Sequence, residues 1–321
     1  MRLTILFLFF CGSTLGQNSN LVETIMATYP TEFDNVQALA KRLHYDFKTD
    51  RERVEAAYVW IVKNIKYDYH EVYETKPKRI WIRYKSEDEK NQILQDALDE
   101  RLNYILQVKS TLCYGYSNLF KRLCELMNIP AANINGYTKR GSDAIGTKSS
   151  FKNHSWNAVY LDDRWMLVDL TWAAGYSDSR AKSWQPRRND YYFDTNPQEF
   201  ISTHLPADSN WQLIQKPISP EDFFDSPIYY PTYFKDRLLL AEKEDGVLEA
   251  DKRMVKIVFA SLPKGKSLFY SFDGSQAATQ IERIKLTKDG QYEVFIYHVK
   301  PDSRQLTLYS DLRPAIDFKL H

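Results

Sequence analysis

Three residues in this chain have the types and the order that nucleophilic catalysis requires, and Cys113 is the first of them. It stands where a predicted loop, 109–112, meets a predicted helix. A helix N-terminus carries about half a positive charge, which favours the reactive thiolate form of a cysteine placed there. The alternative is a buried structural cysteine, the usual role of a lone cysteine. Cys124 falls among leucines in the middle of the same helix, where the structural interpretation is preferred.

A cysteine nucleophile needs a base, and the base needs a group that orients it. His154 opens a predicted strand, and Asp169 lies in the predicted partner strand. If 162–163 is a two-residue turn, Trp156 pairs with Asp169, and His154 and Asp169 then share one face at about 7 Å between Cβ atoms. Burying a carboxylate is costly unless it is paired, so an Asp within an apolar run is informative. The alternative for Asp169 is a structural residue that caps a turn.

Other kinds of site lack their signatures in this sequence. There is no HExxH, paired CxxC, acidic calcium loop or glycine-rich phosphate loop, so we predict neither a metal nor another cofactor. His204 is interpreted as a loop residue that forms a hydrogen bond rather than as a ligand. The 43 Lys and Arg balance 42 Asp and Glu, which gives no reason to expect a nucleic-acid partner.

The N-terminus, 1–16, has the pattern of an export signal. Arg2 precedes a short apolar run and then small residues, which predicts cleavage after Gly16 and an exported protein, periplasmic or secreted. The run is too short to span a bilayer, and no later segment is apolar enough to do so. Lipid anchoring at Cys11 is disfavoured because two bulky phenylalanines precede that cysteine.

The length of 321 residues is enough for two domains with separate cores. Apolar periodicity predicts helices over 20–28, 34–47 (capped by Asp34), 87–108 and 113–128, and one from residue 49 or 50 to about 65. Alternation predicts strands over 154–161 and 165–171, and short strands dominate from about 225, with a hairpin at Asp289-Gly290. We therefore expect an α+β cysteine domain over 17–222, followed by a small antiparallel β-sandwich over 223–321. In one helix Cys113 and Cys124 would lie about 16 Å apart, too far for a disulfide.

Three sequence blocks in the right order carry a resemblance to a known family. They are Lys-Ser-Thr-Leu-Cys-Tyr-Gly-Tyr-Ser over 109–117, Asn-His-Ser-Trp-Asn over 153–157, and Val-Asp-Leu-Thr-Trp over 168–172. Together they resemble the transglutaminase-like superfamily, and look closest to its kyphoscoliosis-peptidase-like bacterial branch. The resemblance covers roughly 35–215. It departs from the family at Thr111, where a glycine is usual two residues before the cysteine.

The resemblance implies a papain-like core in which Cys113 is the nucleophile, His154 the base and Asp169 the orienting carboxylate. It also implies acyl transfer on peptide or protein amides through a thioester. We prefer hydrolysis to cross-linking, because nothing marks an amine-binding pocket. Peptide or protein substrates are expected, cell-envelope material among them.

Five aromatic residues are candidates for substrate binding or for the second oxyanion contact: Tyr67, Tyr69, Tyr114, Trp156 and Trp172. The competing hypothesis is a binding protein with weak or no catalysis. Such a protein would use the fold and the β domain to hold a polymer or a protein partner.

Overall fold

The computed structural model describes residues 14–68, 82–139, 141–178, 183–242, 245–250, 253–297, 299 and 302–321, with 14–20 described by their backbone alone. Most of the predicted export signal, with Cys11, and the candidate Tyr69 lie outside this part of the chain. Among the helices described here, none combines the length and the apolar character that a membrane span requires.

The helices that position the rest of the chain are, in order, α1 Thr14–Ala27, α2 Val36–Asp46, α3 Asp50–Asn64, α4 Glu87–Val108, α5 Cys113–Leu126, α6 Leu170–Ala174, α7 Pro197–Phe200, α8 Pro220–Asp225 and α9 Pro231–Lys235. The strands are β1 Lys66–Tyr67, β2 Ser110–Thr111, β3 Ala131–Tyr137, β4 His154–Leu161, β5 Arg164–Val168, β6 Gly175–Asp178, β7 Ser183–Pro186, β8 Phe193–Thr195, β9 Leu205–Pro206, β10 Ile228–Tyr229, β11 Leu239–Leu240, β12 Val247–Leu248, β13 Met254–Ser261, β14 Leu268–Phe272, β15 Thr279–Gln280, β16 Ile284–Leu286, β17 Tyr292–Tyr297, β18 Gln305–Ser310 and β19 Arg313–Leu320.

The helix ends follow from side chains that satisfy the first backbone N–H groups. At α3, the Thr49 side chain accepts from the Glu52 N–H and the Glu52 carboxylate accepts from the Thr49 N–H, a reciprocal capping box. The prediction that Asp34 caps α2 is wrong. Asn35 is the extended residue before the helix, and its side chain accepts from the Ala38 N–H at 2.8 Å.

The chain divides into two compact units, 1–133 with 156–193, and 134–155 with 194–321. This division differs from the boundary at 222/223 expected from composition, which stays a prediction. It passes within β3 and β4, two strands of the five-stranded sheet with the order β8-β5-β4-β3-β9.

In the first unit, β4 and β5 form an antiparallel hairpin whose register runs from Leu161↔Arg164 to Asn157↔Val168. Residues 162 and 163 have φ of 51° and 59°, as a two-residue turn between twisted strands requires. The predicted turn and register are confirmed over these pairs. The predicted end of the second strand at residue 171 is wrong, because β5 ends at Val168 and α6 begins at once.

In the second unit, two antiparallel-rich sheets share one apolar core. The larger has the order β10-β19-β18-β14-β15 with β12 beside β19, and the smaller has the order β11-β13-β17-β16. Ile257 and Val294 of the small sheet and Leu306 and Phe318 of the large sheet are buried in the same cluster. The predicted hairpin is present, with Gly290 at φ 83°. The fold is thus α+β with additional β-rich sheets at the C-terminal end, as expected.

A buried lysine side chain, Lys139, contacts the turn that connects α8 to β10 in the second unit. The Lys139 Nζ lies within hydrogen-bond distance of four oxygens, the carbonyl oxygens of Phe223, Ser226 and Pro227 at 2.6–2.9 Å and the Ser226 hydroxyl at 2.8 Å. Burial lowers the pKa of Lys139 to about 7 and outweighs the opposing effect of the Asp225 carboxylate. One side chain after β3 therefore fixes the turn 223–227.

Candidate active site

Cys113 is the first residue of α5, and its side chain is partly exposed. The preceding residue, Leu112, has no side chain that could cap the helix, so the N-terminal N–H groups keep their partial positive charge beside the thiol. Cys124, in the last turns of the same helix, is fully buried, and burial raises the pKa of its thiol far above the usual range. Neither cysteine forms a disulfide, as predicted.

Thr111, the departure from the family pattern, fits against a glycine one turn into α5. A Cβ built on Gly115 would lie 2.8 Å from both Cβ and Cγ2 of Thr111 and closer still to Oγ1. Thr111 is 2% exposed, and its strand β2 pairs in parallel with β1, which places Tyr67 beside it. The start of the cysteine helix therefore packs tightly because residue 115 lacks a side chain.

Asp169 is wholly buried in the first unit, at the junction of β5 and α6. Its Oδ1 accepts from the Trp172 N–H at 3.0 Å, and its own N–H donates to the Tyr192 carbonyl at 3.0 Å. The alternative role expected from the sequence, a cap, is thus present. Burial raises the pKa of Tyr192, and the Asp169 charge adds to that effect. The Tyr116 hydroxyl donates to the Ile65 carbonyl at 2.6 Å. Burial raises the pKa of Tyr116, and the charges of Tyr67 and Asp169 add to that effect.

Three asparagines fasten the cysteine helix to the strands behind it. The Asn157 amide on β4 donates to the Ser117 carbonyl of α5 at 3.0 Å and to Asn133 Oδ1 at 2.9 Å. The Asn133 amide donates to Asn118 Oδ1 at 2.9 Å, and the Asn118 amide donates to the Tyr114 carbonyl at 2.7 Å. This network restrains the first two turns of α5, the part of the helix that presents Cys113.

The aromatic candidates occupy different surroundings in the first unit. Tyr114, next to the cysteine, is 61% exposed, whereas Trp156 is 1% exposed and packs inside. The Tyr67 ring lies 5.4 Å from the Trp184 ring, and Trp172 meets Tyr192 edge-on at 5.5 Å. Of these side chains Tyr114 is the one most open to a ligand. The roles expected for all of them stay predictions.

In the second unit, His154 is held by the two residues on either side of it. The Asn153 side chain accepts from the Thr138 N–H and donates to the Thr138 carbonyl, both at 2.8 Å. The Ser155 hydroxyl donates to Asn135 Oδ1 at 2.6 Å. Asn135 lies in β3, and Thr138 follows the strand directly. These contacts hold the backbone on both sides of His154, whose side chain is buried.

His204, which was predicted to be a loop residue, lies beside His154. The centroids of the two imidazole rings are 5.5 Å apart, and both side chains are buried. The His204 ring stacks on Phe200 at 4.0 Å, and its Nδ1 lies 2.7 Å from the Thr203 hydroxyl. The predicted loop hydrogen bond is confirmed, but the histidine pair was missed. The block Ser-Thr-His-Leu-Pro was the signal in the sequence, but the two histidines are 50 positions apart, and nothing local indicates that they are in contact.

The three residues of the predicted triad are divided between the units. Cys113 and Asp169 belong to the first, and His154 belongs to the second together with His204. Their assembly into one triad stays a prediction. Each has the local setting that its role would require: a thiol at a helix start, a buried and hydrogen-bonded carboxylate, and an imidazole on a restrained strand.

Comparisons with known proteins agree with the sequence blocks. Residues 37–170 match the transglutaminase-like superfamily. Human kyphoscoliosis peptidase is 31% identical over 225 residues, which are 70% of this chain and 31% of the human protein. Hillarin of Drosophila melanogaster is 34% identical over 147 residues, 42% of this chain and 18% of hillarin. A solved structure described as "Crystal structure of a TGase" is 15% identical with a TM-score of 0.26, and covers 51% of this chain and 34% of that chain.

The range matched by the superfamily contains Cys113, His154 and Asp169. The chain spans about a third of the length of the kyphoscoliosis peptidases that it matches. The chain belongs to the transglutaminase-like superfamily and has kyphoscoliosis peptidases among its relatives, at about 30% identity.

Proposed function

We propose that this chain is a thiol enzyme that transfers the acyl group of peptide or protein amides, with hydrolysis as the preferred outcome. The observation that carries the proposal is the position of Cys113, partly exposed at the uncapped start of a 14-residue helix. The names of the relatives, kyphoscoliosis peptidases among them, support the same class of reaction.

In the proposed reaction His154 takes the proton of Cys113, and the sulfur attacks the carbonyl carbon of the amide. Asp169 holds the imidazole in the tautomer that can accept this proton. The backbone N–H of Cys113 meets the oxyanion, together with a second donor. The C–N bond then breaks, the amine leaves with the proton from His154, and a thioester remains. Water, deprotonated by His154, releases the carboxylic acid and restores the thiol.

The proposal is tested by alkylation of the intact protein with iodoacetamide over a range of pH, with the modified residue identified by mass. Cys113 should react well below pH 8, since its thiolate is stabilised, whereas an ordinary thiol has a pKa of about 8.5. Cys124 provides a control within the same helix and should stay unmodified while the protein is folded. If Cys113 reacts only as an ordinary thiol does, the enzyme proposal fails.

A second measurement addresses Asp169 and the fate of the acyl group. Asp169→Asn keeps the size of the side chain and should slow alkylation and hydrolysis strongly; an unchanged rate would remove Asp169 from the site. Incubation of a generic unfolded protein with a labelled primary amine separates the two outcomes. New peptide ends without incorporated amine are expected, and incorporation without cleavage would replace hydrolysis by cross-linking.

The exported location expected from 1–16 is part of this proposal. A thiol with the reactivity proposed for Cys113 would also explain why an exported chain keeps cysteines outside disulfides.

A further inference from the structure

We propose that His204 is a positioning residue for His154, an inference that rests on the proposed function. His204 lies at the end of the segment after α7, directly before β9, and β9 pairs with β3 at Tyr137↔Leu205. His154 is fastened to the same strand through its neighbours Asn153 and Ser155. Strand β3 therefore serves as the common support of both imidazoles within the second unit.

The surroundings of His204 leave its ring little freedom. The side chain is 0% exposed, and its ring lies nearly parallel to Phe200, at an angle of 19° and a centroid distance of 4.0 Å. A stack of this kind fixes the plane of the ring. The His154 ring, 5.5 Å away and tilted by 46°, therefore meets a neighbour of defined orientation.

A hydrogen bond also restrains the Nδ1 side of the His204 ring. The Thr203 hydroxyl donates to the Phe200 carbonyl at 3.1 Å and lies 2.7 Å from His204 Nδ1. The Thr203 hydroxyl therefore restrains the ring through Nδ1, whichever of the two atoms carries the proton.

A ring that is stacked on Phe200 and held at Nδ1 can keep a second imidazole in one orientation. We infer that His204 restrains the His154 ring so that the nitrogen needed by Cys113 stays directed for proton transfer. Removing the nitrogens while keeping the ring should therefore weaken the chemical step and spare the binding of substrate. A misplacement of about 1 Å in such a group can cost on the order of a hundredfold in rate.

The test compares kcat and KM for peptide hydrolysis in the parent protein, His204→Phe and Thr203→Val, with Thr203→Ser as the matched control. His204→Phe keeps an aromatic ring on Phe200 and should lower kcat roughly tenfold to a hundredfold with KM within about twofold. Thr203→Val should lower kcat less, because the nitrogens remain but the hydrogen bond at Nδ1 is lost. Thr203→Ser keeps both hydrogen bonds and should behave as the parent does.

The result that overturns the inference is an unchanged kcat in His204→Phe and Thr203→Val, or a change confined to KM. Where His204→Phe does not fold, Thr203→Val and Thr203→Ser decide the matter by themselves, since they differ by the hydroxyl in question. Failure of the proposed function has a separate signature. Cys113 would then alkylate only as an ordinary thiol does, or Cys113→Ser would retain the activity of the parent, whereas failure of the positioning role alone leaves Cys113 essential and His204 dispensable.

Discussion

Gly115→Ala should destabilise this protein, although alanine usually stabilises a helix. The new Cβ would lie 2.8 Å from Cβ and Cγ2 of Thr111, a separation that real Cβ atoms essentially never show. Thr111 cannot retreat, because it is buried and its carbonyl accepts from the Asp68 N–H at 2.9 Å. The start of α5 would have to move instead, and Cys113 would move with it.

The magnitude follows from two opposing terms. Overpacking a tight site costs about 1–3 kcal/mol, and a clash with three atoms at once belongs at the upper end of that range. Replacing glycine by alanine in a helix returns up to about 1 kcal/mol. The free energy of unfolding should therefore fall by about 2 kcal/mol. Thr111→Gly removes all three clashing atoms, so in that background Gly115→Ala should instead raise stability by up to about 1 kcal/mol.

The assay is urea unfolding of the parent, the two single variants and the double variant. Thr111→Ser is the matched control, since it retains the oxygen nearest to the new methyl group and should leave most of the destabilisation in place. The alkylation rate of Cys113, measured on the same proteins, reports whether the helix start has moved. A Gly115→Ala effect of the same sign and size in both Thr111 backgrounds would refute the argument.

Three further predictions concern other parts of the chain. Because the pKa of Lys139 is lowered from 10.5 to about 7, the unfolded chain binds more protons than the folded one above pH 7, and this residue should make stability rise with pH. Lys139→Met should remove a rise of about 1 kcal/mol per pH unit between roughly pH 8 and 9.5, measured as the difference in urea unfolding from the parent; a difference that does not vary with pH would contradict it. Asn157→Leu removes the amide donor from the Ser117 and Ala132 carbonyls and should lower the free energy of unfolding by about 1–3 kcal/mol; a loss below about 0.5 kcal/mol would mean that the network carries no stability. The mature protein should begin at Gln17, which its mass after secretion will show; an intact N-terminus would contradict the export signal.

Much of the first unit was predictable because its signals are local. Thr49 and Glu52 have the spacing of a capping box, and the β4–β5 turn has two residues that tolerate positive φ. The cap of α2 was misplaced by one residue, since Asp34 and Asn35 are both good acceptors and only the backbone decides between them.

The end of β5 shows how two correct signals can compete. The apolar run 167–170 predicts a strand, but the Asp169 side chain accepts from the Trp172 N–H and starts a helix. Strand β19 is hard to recognise in the sequence for a different reason. Its Pro314 and its buried Asp317 interrupt the alternation that identifies a strand, and the structure places Asp317 against the Tyr230 hydroxyl at 2.8 Å.

The candidate site was predictable as a set of residue types and not as a set of contacts. Cys113 at a helix start and Asp169 within an apolar run are visible in the sequence. The contact between His204 and His154, like the chain of asparagines behind Cys113, depends on tertiary pairing of β3 with strands on both sides of it. Periodicity carries no information about such neighbours.

The pocket filled by Lys139 has a lasting practical consequence. Three carbonyl oxygens and a hydroxyl converging on one point are the surroundings that a free cation would seek, and here a side chain of the polypeptide occupies them. This side chain cannot be chelated, diluted or exchanged for an ion. The corner that leads into the β-rich sheets is therefore complete whenever the chain folds, whatever salts surround it.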